Sequence, residues 1–125
     1  MTVTPYELVR IAAQAADQKK AEDIVVLDLE GVSDVSDYFM ICTAGNPRLL
    51  DAVVDEVEEK IRINTGVKPI SHEGRAGASW VLLDYGSVVV HVFLPQTRDY
   101  YRLERLWGDA KRVDVGLEPR EELES

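Results

Sequence analysis

Residues 79–94 read SWVLLDYGSVVVHVFL, two apolar runs flanking Asp84-Tyr85-Gly86-Ser87. The glycine stands where a tight turn needs a positive φ, so the segment predicts an antiparallel hairpin. Two more apolar runs, DIVVLDL and YFMICT, read as strands. The unbroken apolar character of DIVVLDL predicts burial on both faces, which requires a sheet covered on each side.

The segments between these strands carry helix signals. In TPYELVRIAAQAADQKK, Thr4 is placed as N-cap, Pro5 at the first helical position and Glu7 to complete a capping box. Leu8, Ile11, Ala12 and Ala15 mark its apolar face. A second helix starts from Asn46 and Pro47, with Leu50, Val53, Val54, Val57 and Ile61 at helical spacing and Asp51, Asp55, Glu58 and Glu59 directed elsewhere. Asn64 and Gly66 mark its end. VKPI reads as a short edge strand because of its proline, SHEGRAGA as a glycine-rich loop, and a last helix is predicted from about Thr97. The order predicts an α/β domain, a mixed sheet covered by helices. At 125 residues one domain is expected, over 1–110, followed by an acidic and flexible tail over 111–125.

The formal net charge of −9 would repel a phosphate backbone and attract a basic protein. Direct sequence-specific nucleic-acid binding is therefore not expected. Cys42 is the single cysteine, so no intramolecular disulfide can form. The N-terminus has no apolar stretch behind a positive flank and no run is long enough to span a membrane, so a soluble, cytoplasmic protein is expected.

Catalytic chemistry finds little support. His72, His91 and Cys42 lie on separate segments without metal-ligand spacing. His91, within VVVHVF, reads as a half-buried histidine hydrogen-bonded inside the fold. Ser71, Ser79 and Ser87 lack a nucleophile elbow, no phosphate loop is present, and EGRAGA lacks dinucleotide spacing. Asp34 with Asp37, and Asp28 with Glu30, could be read as carboxylate pairs, but loop capping and strand alternation are the favoured explanation. No catalytic residue, metal or cofactor is expected.

The segment HVFLPQTRDYYRLERLW, residues 91–107, is richer. On a helix Arg98, Arg102 and Arg105 form a basic stripe beside Tyr100, Leu103 and Trp107, with Tyr101 between them. Core packing accounts for most of the apolar residues, but Arg and aromatic residues together are also the composition of interface anchors. RNA stacking competes with this reading. Residues 95–112 carry five positive and three negative charges, a small excess within a chain at −9, which favours a protein partner.

LDLEGVSDVSDYFMICTAGNPR, EG, SWVLLDYGSVVVHVF and RDYYRLERLWGDA, in that order and spacing, resemble the Iojap family of ribosomal silencing factors over roughly residues 5–110. The resemblance implies a nucleotidyltransferase-like α/β fold without a catalytic site. It also implies attachment to the large ribosomal subunit through a basic protein, large-subunit ribosomal protein fourteen, which obstructs joining of the small subunit. Carried over by motif, Trp80 and Tyr101 fall on the family's contact positions, with Asp84, Arg98, Arg102 and Glu104 as neighbours. Family members are similar in tending to self-associate, so the resemblance leaves a homodimer open to this chain. The chain departs from the pattern at Gly86-Ser87, where the family has Gly-Asp, and at TAGNPR, where it has Thr-Gly-x-Ser-x-Arg. The competing functions are a metal-dependent nucleotidyltransferase using Asp34 and Asp37, and an adaptor whose helix at 97–107 binds another basic protein.

Overall fold

A computed structural model describes residues 3–32, 34, 36–74, 78–101 and 110–117. Helix α1 (Pro5–Gln18) opens on the capping box: Thr4 Oγ1 accepts from the Glu7 amide at 3.1 Å, and Glu7 Oε1 accepts from the Thr4 amide at 3.3 Å. Strands β1 (Glu22–Asp28) and β2 (Tyr38–Thr43) pair antiparallel. Helix α2 (Pro47–Thr65) follows, with Asn46 Oδ1 capping the Leu49 amide at 2.8 Å. It stops at Gly66, whose φ of 77° is one that a side chain would resist.

Strand β3 (Ser71–Glu73) leads into the hairpin of β4 (Trp80–Asp84) and β5 (Val88–Phe93). The hairpin register pairs Trp80 with Phe93 and Asp84 with Val89 across a turn containing Gly86 at φ 86°. Helix α3 (Pro95–Tyr101) and strand β6 (Lys111–Arg112) complete the described elements. The sheet order is β3-β4-β5-β2-β1-β6, with β2 and β5 parallel at its centre and every other pair antiparallel. This is the α/β, mixed-sheet architecture expected from the sequence.

Alternation divides the sheet into two faces. Met40, Cys42, Val81, Leu83, Val88, Val90 and Val92 point to one, where α1 contributes Leu8, Val9, Ala12 and Ala16, and α2 contributes Leu50, Val53, Val57 and Ile61. The small residues of α1 let the two helices pack closely over the strands. DIVVLDL is covered on both faces only in its second half, where Val26 and Leu27 are buried; Glu22 and Asp23 are exposed.

Three expectations are corrected. The edge strand forms at Ser71–Glu73 and not at VKPI, because Pro69 has no amide proton and the ladder begins with the Ile70 amide donating to Asp84 O at 2.6 Å. The last helix starts two residues early, at Pro95, where a missing N–H costs nothing, and the Arg98 amide donates to Leu94 O at 3.0 Å.

The boundary at 110 also fails. Lys111 and Arg112 pair with Asp28 and Leu27, the Val113 amide donates to Val26 O at 2.8 Å, and Val115 is buried in the main core. Residues 118–125 of the expected tail lie outside the described residues. Val115, only 4% exposed, makes this segment part of the fold. Val115→Asp should therefore lower unfolding free energy by about 2–4 kcal/mol in chemical denaturation, as for a charge placed in an apolar core. An unattached tail would give no change.

Candidate partner-binding site

The second face of the sheet carries a smaller cluster. Leu27, Leu29, Ile41 and Phe93 are fully covered, while Val25, Phe39, Trp80 and Ala110 are only partly buried around them. Trp80, Leu82 and Asp84 alternate along β4 onto this face, with His91 and Phe93 beside them on β5. Its outer rim toward β3 is thus a half-exposed apolar surface next to an edge strand.

Aromatic rings give that rim a fixed geometry. The Trp80 indole stacks on Phe93 with centroids 5.0 Å apart and an interplanar angle of 28°. His91 lies near-parallel to Phe93 at 6.2 Å and meets Phe39 edge-on at 4.7 Å. Such pairs contribute about 0.5–1.5 kcal/mol each beyond area burial. Trp80 Nε1 donates a hydrogen bond to His91 Nδ1 at 3.2 Å. Indole nitrogen can only donate, so Nδ1 must be the acceptor and the neutral ring carries its proton on Nε2. His91 is 4% exposed, and Nε2 is buried without a hydrogen-bond partner among the described residues. Burial holds the imidazole pKa down at about 4.

Next to Trp80 is a hollow of about 230 Å³ lined by Glu73, Gly74, Trp80 and Leu82. Glycine is required at its wall. Gly74 has φ 106°, and a Cβ there would lie 2.8 Å from the Trp80 carbonyl oxygen.

The sequence-predicted residues are distributed unevenly. Trp80 sits half-buried at the end of β4 nearest α3, opposite Phe93. Asp84 is on the same face at the other end of the strand, roughly 13 Å away at strand rise, and its carboxylate accepts from the Gly86 amide at 2.8 Å. Arg98 departs from the expected basic stripe: it is 7% exposed, and its guanidinium donates to Thr43 Oγ1 at 2.9 Å. A partner could not grip it without opening the fold. Tyr101 closes α3; its side chain, Arg102 and Glu104 lie outside the described residues, as does the expected helical continuation through 102–107. His91 was legible as an internal histidine, but its pairing with Trp80 was missed. The signal was the hairpin centre, since a turn at 84–87 sets Trp80 one diagonal step from His91.

A family model described as ribosomal silencing factor during starvation matches residues 2–125. The chain belongs to this family. It is 46% identical over 108 residues to a ribosomal silencing factor of Bacillus subtilis, covering 86% of this chain and 91% of that one. A crystal structure of a Chromobacterium violaceum protein superposes with a TM-score of 0.80 at 33% identity, covering 94% of this chain and 92% of that one. A mouse protein named for mitochondrial assembly of the ribosomal large subunit is 36% identical over 95 residues, 72% of this chain and 40% of that one.

As a member of the ribosomal silencing factor family, the protein is a ribosome-associated regulator of translation and not an enzyme. Of the carboxylates considered for catalysis, that of Asp28 takes part in local structure, and Asp37 is engaged through its backbone. Asp28 Oδ1 accepts from the Glu30 amide at 3.0 Å, and the Asp37 backbone ties the β1–β2 loop to Leu29 and Ser87. Cys42 is fully buried, and desolvation pushes its thiol up to about 12, where no useful thiolate exists at neutral pH. Among the described residues, no group of three or more His, Cys, Asp or Glu side chains is placed to hold a metal, and no helix is long and apolar enough to cross a membrane.

Because His91 is held neutral in the fold, with its pKa lowered from 6.5 to about 4, the unfolded chain binds more protons between those values. Its stabilising contribution is complete above pH 6.5 and is lost as pH falls toward 4. Denaturation at pH 7.5 and pH 5 should show a loss of about 2 kcal/mol from this residue. In His91→Leu that portion of the pH dependence should vanish.

Proposed function

We propose that this protein docks on the large ribosomal subunit through a basic protein of its intersubunit face, large-subunit ribosomal protein fourteen, and there blocks joining of the small subunit by occupying its space. The observation that carries this reading is Trp80, a large aromatic side chain held half-exposed at the rim of an apolar face in a chain of net charge −9. An acidic body steers toward a basic protein, and a rigid indole beside an apolar hollow supplies a central anchor. Family membership supports the ribosomal setting, and the name of the mouse relative points to the large subunit.

On this reading Tyr101 at the end of α3 and the following Arg102 and Glu104 extend the contact, and Asp84 stands at its far margin. Arg98 serves from inside, holding the start of α3 to β2 through Thr43. The protein acts in the cytoplasm without a cofactor. A homodimer formed through the same face would compete with ribosome docking, so apparent affinity would fall as protein concentration rises.

Sedimentation with separated subunits at moderate salt tests the proposal. Saturable co-pelleting with large subunits alone is expected, and purified large subunits preloaded with the protein should join small subunits more slowly. Trp80→Ala should cost about 2 kcal/mol or more of binding, roughly a thirtyfold loss, and Tyr101→Ala should weaken it as well. Normal joining at saturating protein would overturn the steric mechanism, and absence from the large-subunit pellet would overturn the docking itself.

A further inference from the structure

We infer that His91 is a positioning residue for docking: by accepting the indole proton of Trp80 it fixes which edge of that ring a protein partner meets. The inference rests on the proposed docking reading and adds to it the device that makes the anchor rigid.

Stacking on Phe93 sets the plane of the Trp80 ring, but a stacked indole has two χ2 orientations that share roughly one plane and exchange its edges. The indole has one polar group, a donor, and the 3.2 Å bond to His91 Nδ1 selects the orientation that turns the Nε1 edge inward. The acceptor comes from the neighbouring strand: Leu82 is directly opposite His91, and Trp80 is opposite Phe93, so the indole reaches across the ladder diagonally. The Phe39 ring meets the imidazole from a third strand, at 4.7 Å and 64°, and holds it in place. An anchor already ordered in the free protein loses less side-chain freedom on binding.

The arrangement is unfavourable for stability alone. With its acceptor nitrogen given to Trp80, His91 keeps its proton on Nε2, where the atom is buried and, among the described residues, has no partner. A leucine in the same position would remove the buried Nε2, at the cost of the acceptor that the part-buried Trp80 indole uses. The imidazole therefore supplies something that packing does not need, and the group it serves is the half-exposed indole.

Four proteins decide the matter: wild type, His91→Leu, His91→Gln and Trp80→Phe. Large-subunit affinity and thermal midpoint are measured on all four, and the exchange rate of the Trp80 indole proton by NMR on the three that keep Trp80. In His91→Leu the midpoint at pH 7.5 should be unchanged or higher, the indole proton should exchange at least tenfold faster, and affinity should fall about tenfold. His91→Gln, which keeps an acceptor, should recover part of the affinity. Trp80→Phe removes the donor without touching the interior, should lose affinity similarly, and stands in if His91→Leu does not fold. Unchanged affinity in His91→Leu, or an indole proton that exchanges as in wild type, would overturn the positioning role while the docking reading survived. A wild-type protein that does not bind large subunits would overturn the docking reading, and this role with it.

Discussion

The parallel ladder between β2 and β5 determines what the rest of the molecule must do. Tyr38 through Thr43 run beside Val88 through Phe93, and parallel neighbours cannot be joined by a tight turn. The intervening chain has to cross over the sheet, and it does so as α2, whose apolar stripe lands on Met40, Val90 and their neighbours. Helix α1 fills the remaining space on that same face with alanines. Both long helices are thus committed to one side. Among the described residues the other side is left to short elements, and Trp80 and Phe39 there are only partly buried.

The two faces also differ chemically. On the helix-covered face the buried strand residues are aliphatic or sulfur-bearing. On the opposite face lie a buried imidazole and the hydroxyl of Thr43, which receives a buried guanidinium. Buried polar groups reduce the tolerance of a core to error, because each must find a specific partner. Stability alone would favour the first kind of surface on both sides. Such conflict with folding rules is present at Tyr85, whose buried hydroxyl belongs to the main core, and again around His91, Trp80 and the start of α3.

The elements legible in the sequence were those fixed by nearby residues. Thr4 with Glu7, Asn46 with Pro47, and Gly86 between apolar runs each specify their own geometry through contacts within a few positions. Features decided at long range were not legible. Ser-His-Glu has no strand character of its own and becomes a strand because β4 offers a free edge. Lys111 and Arg112 join β1 for the same reason. Arg98 was misassigned because helical spacing tells which residues share a face, but not which face is buried; α3 is short and turns Arg98 toward β2. At the site, Trp80 was identifiable by motif, whereas its coupling to His91 required the register of the hairpin.

Charge and anchoring fall on different parts of the protein. The outer side of α2 carries Asp55 and Glu59 exposed to solvent, and local pairs already engage Glu56 with Lys60, Glu59 with Arg62 and Glu58 with His72. Exposed pairs of this kind contribute little to stability. Helix α2 lies on the face opposite Trp80, and a helix is about 10 Å thick, so its outer carboxylates are separated from a partner on the aromatic rim by more than the ~8 Å screening length of physiological salt. They cannot strengthen the final contact appreciably. Their effect falls on the approach, where the whole acidic field raises the encounter rate with a basic surface. On the proposed docking, residence on that surface would depend on how well a fixed indole and its hollow are filled, which is a matter of ring geometry and not of charge.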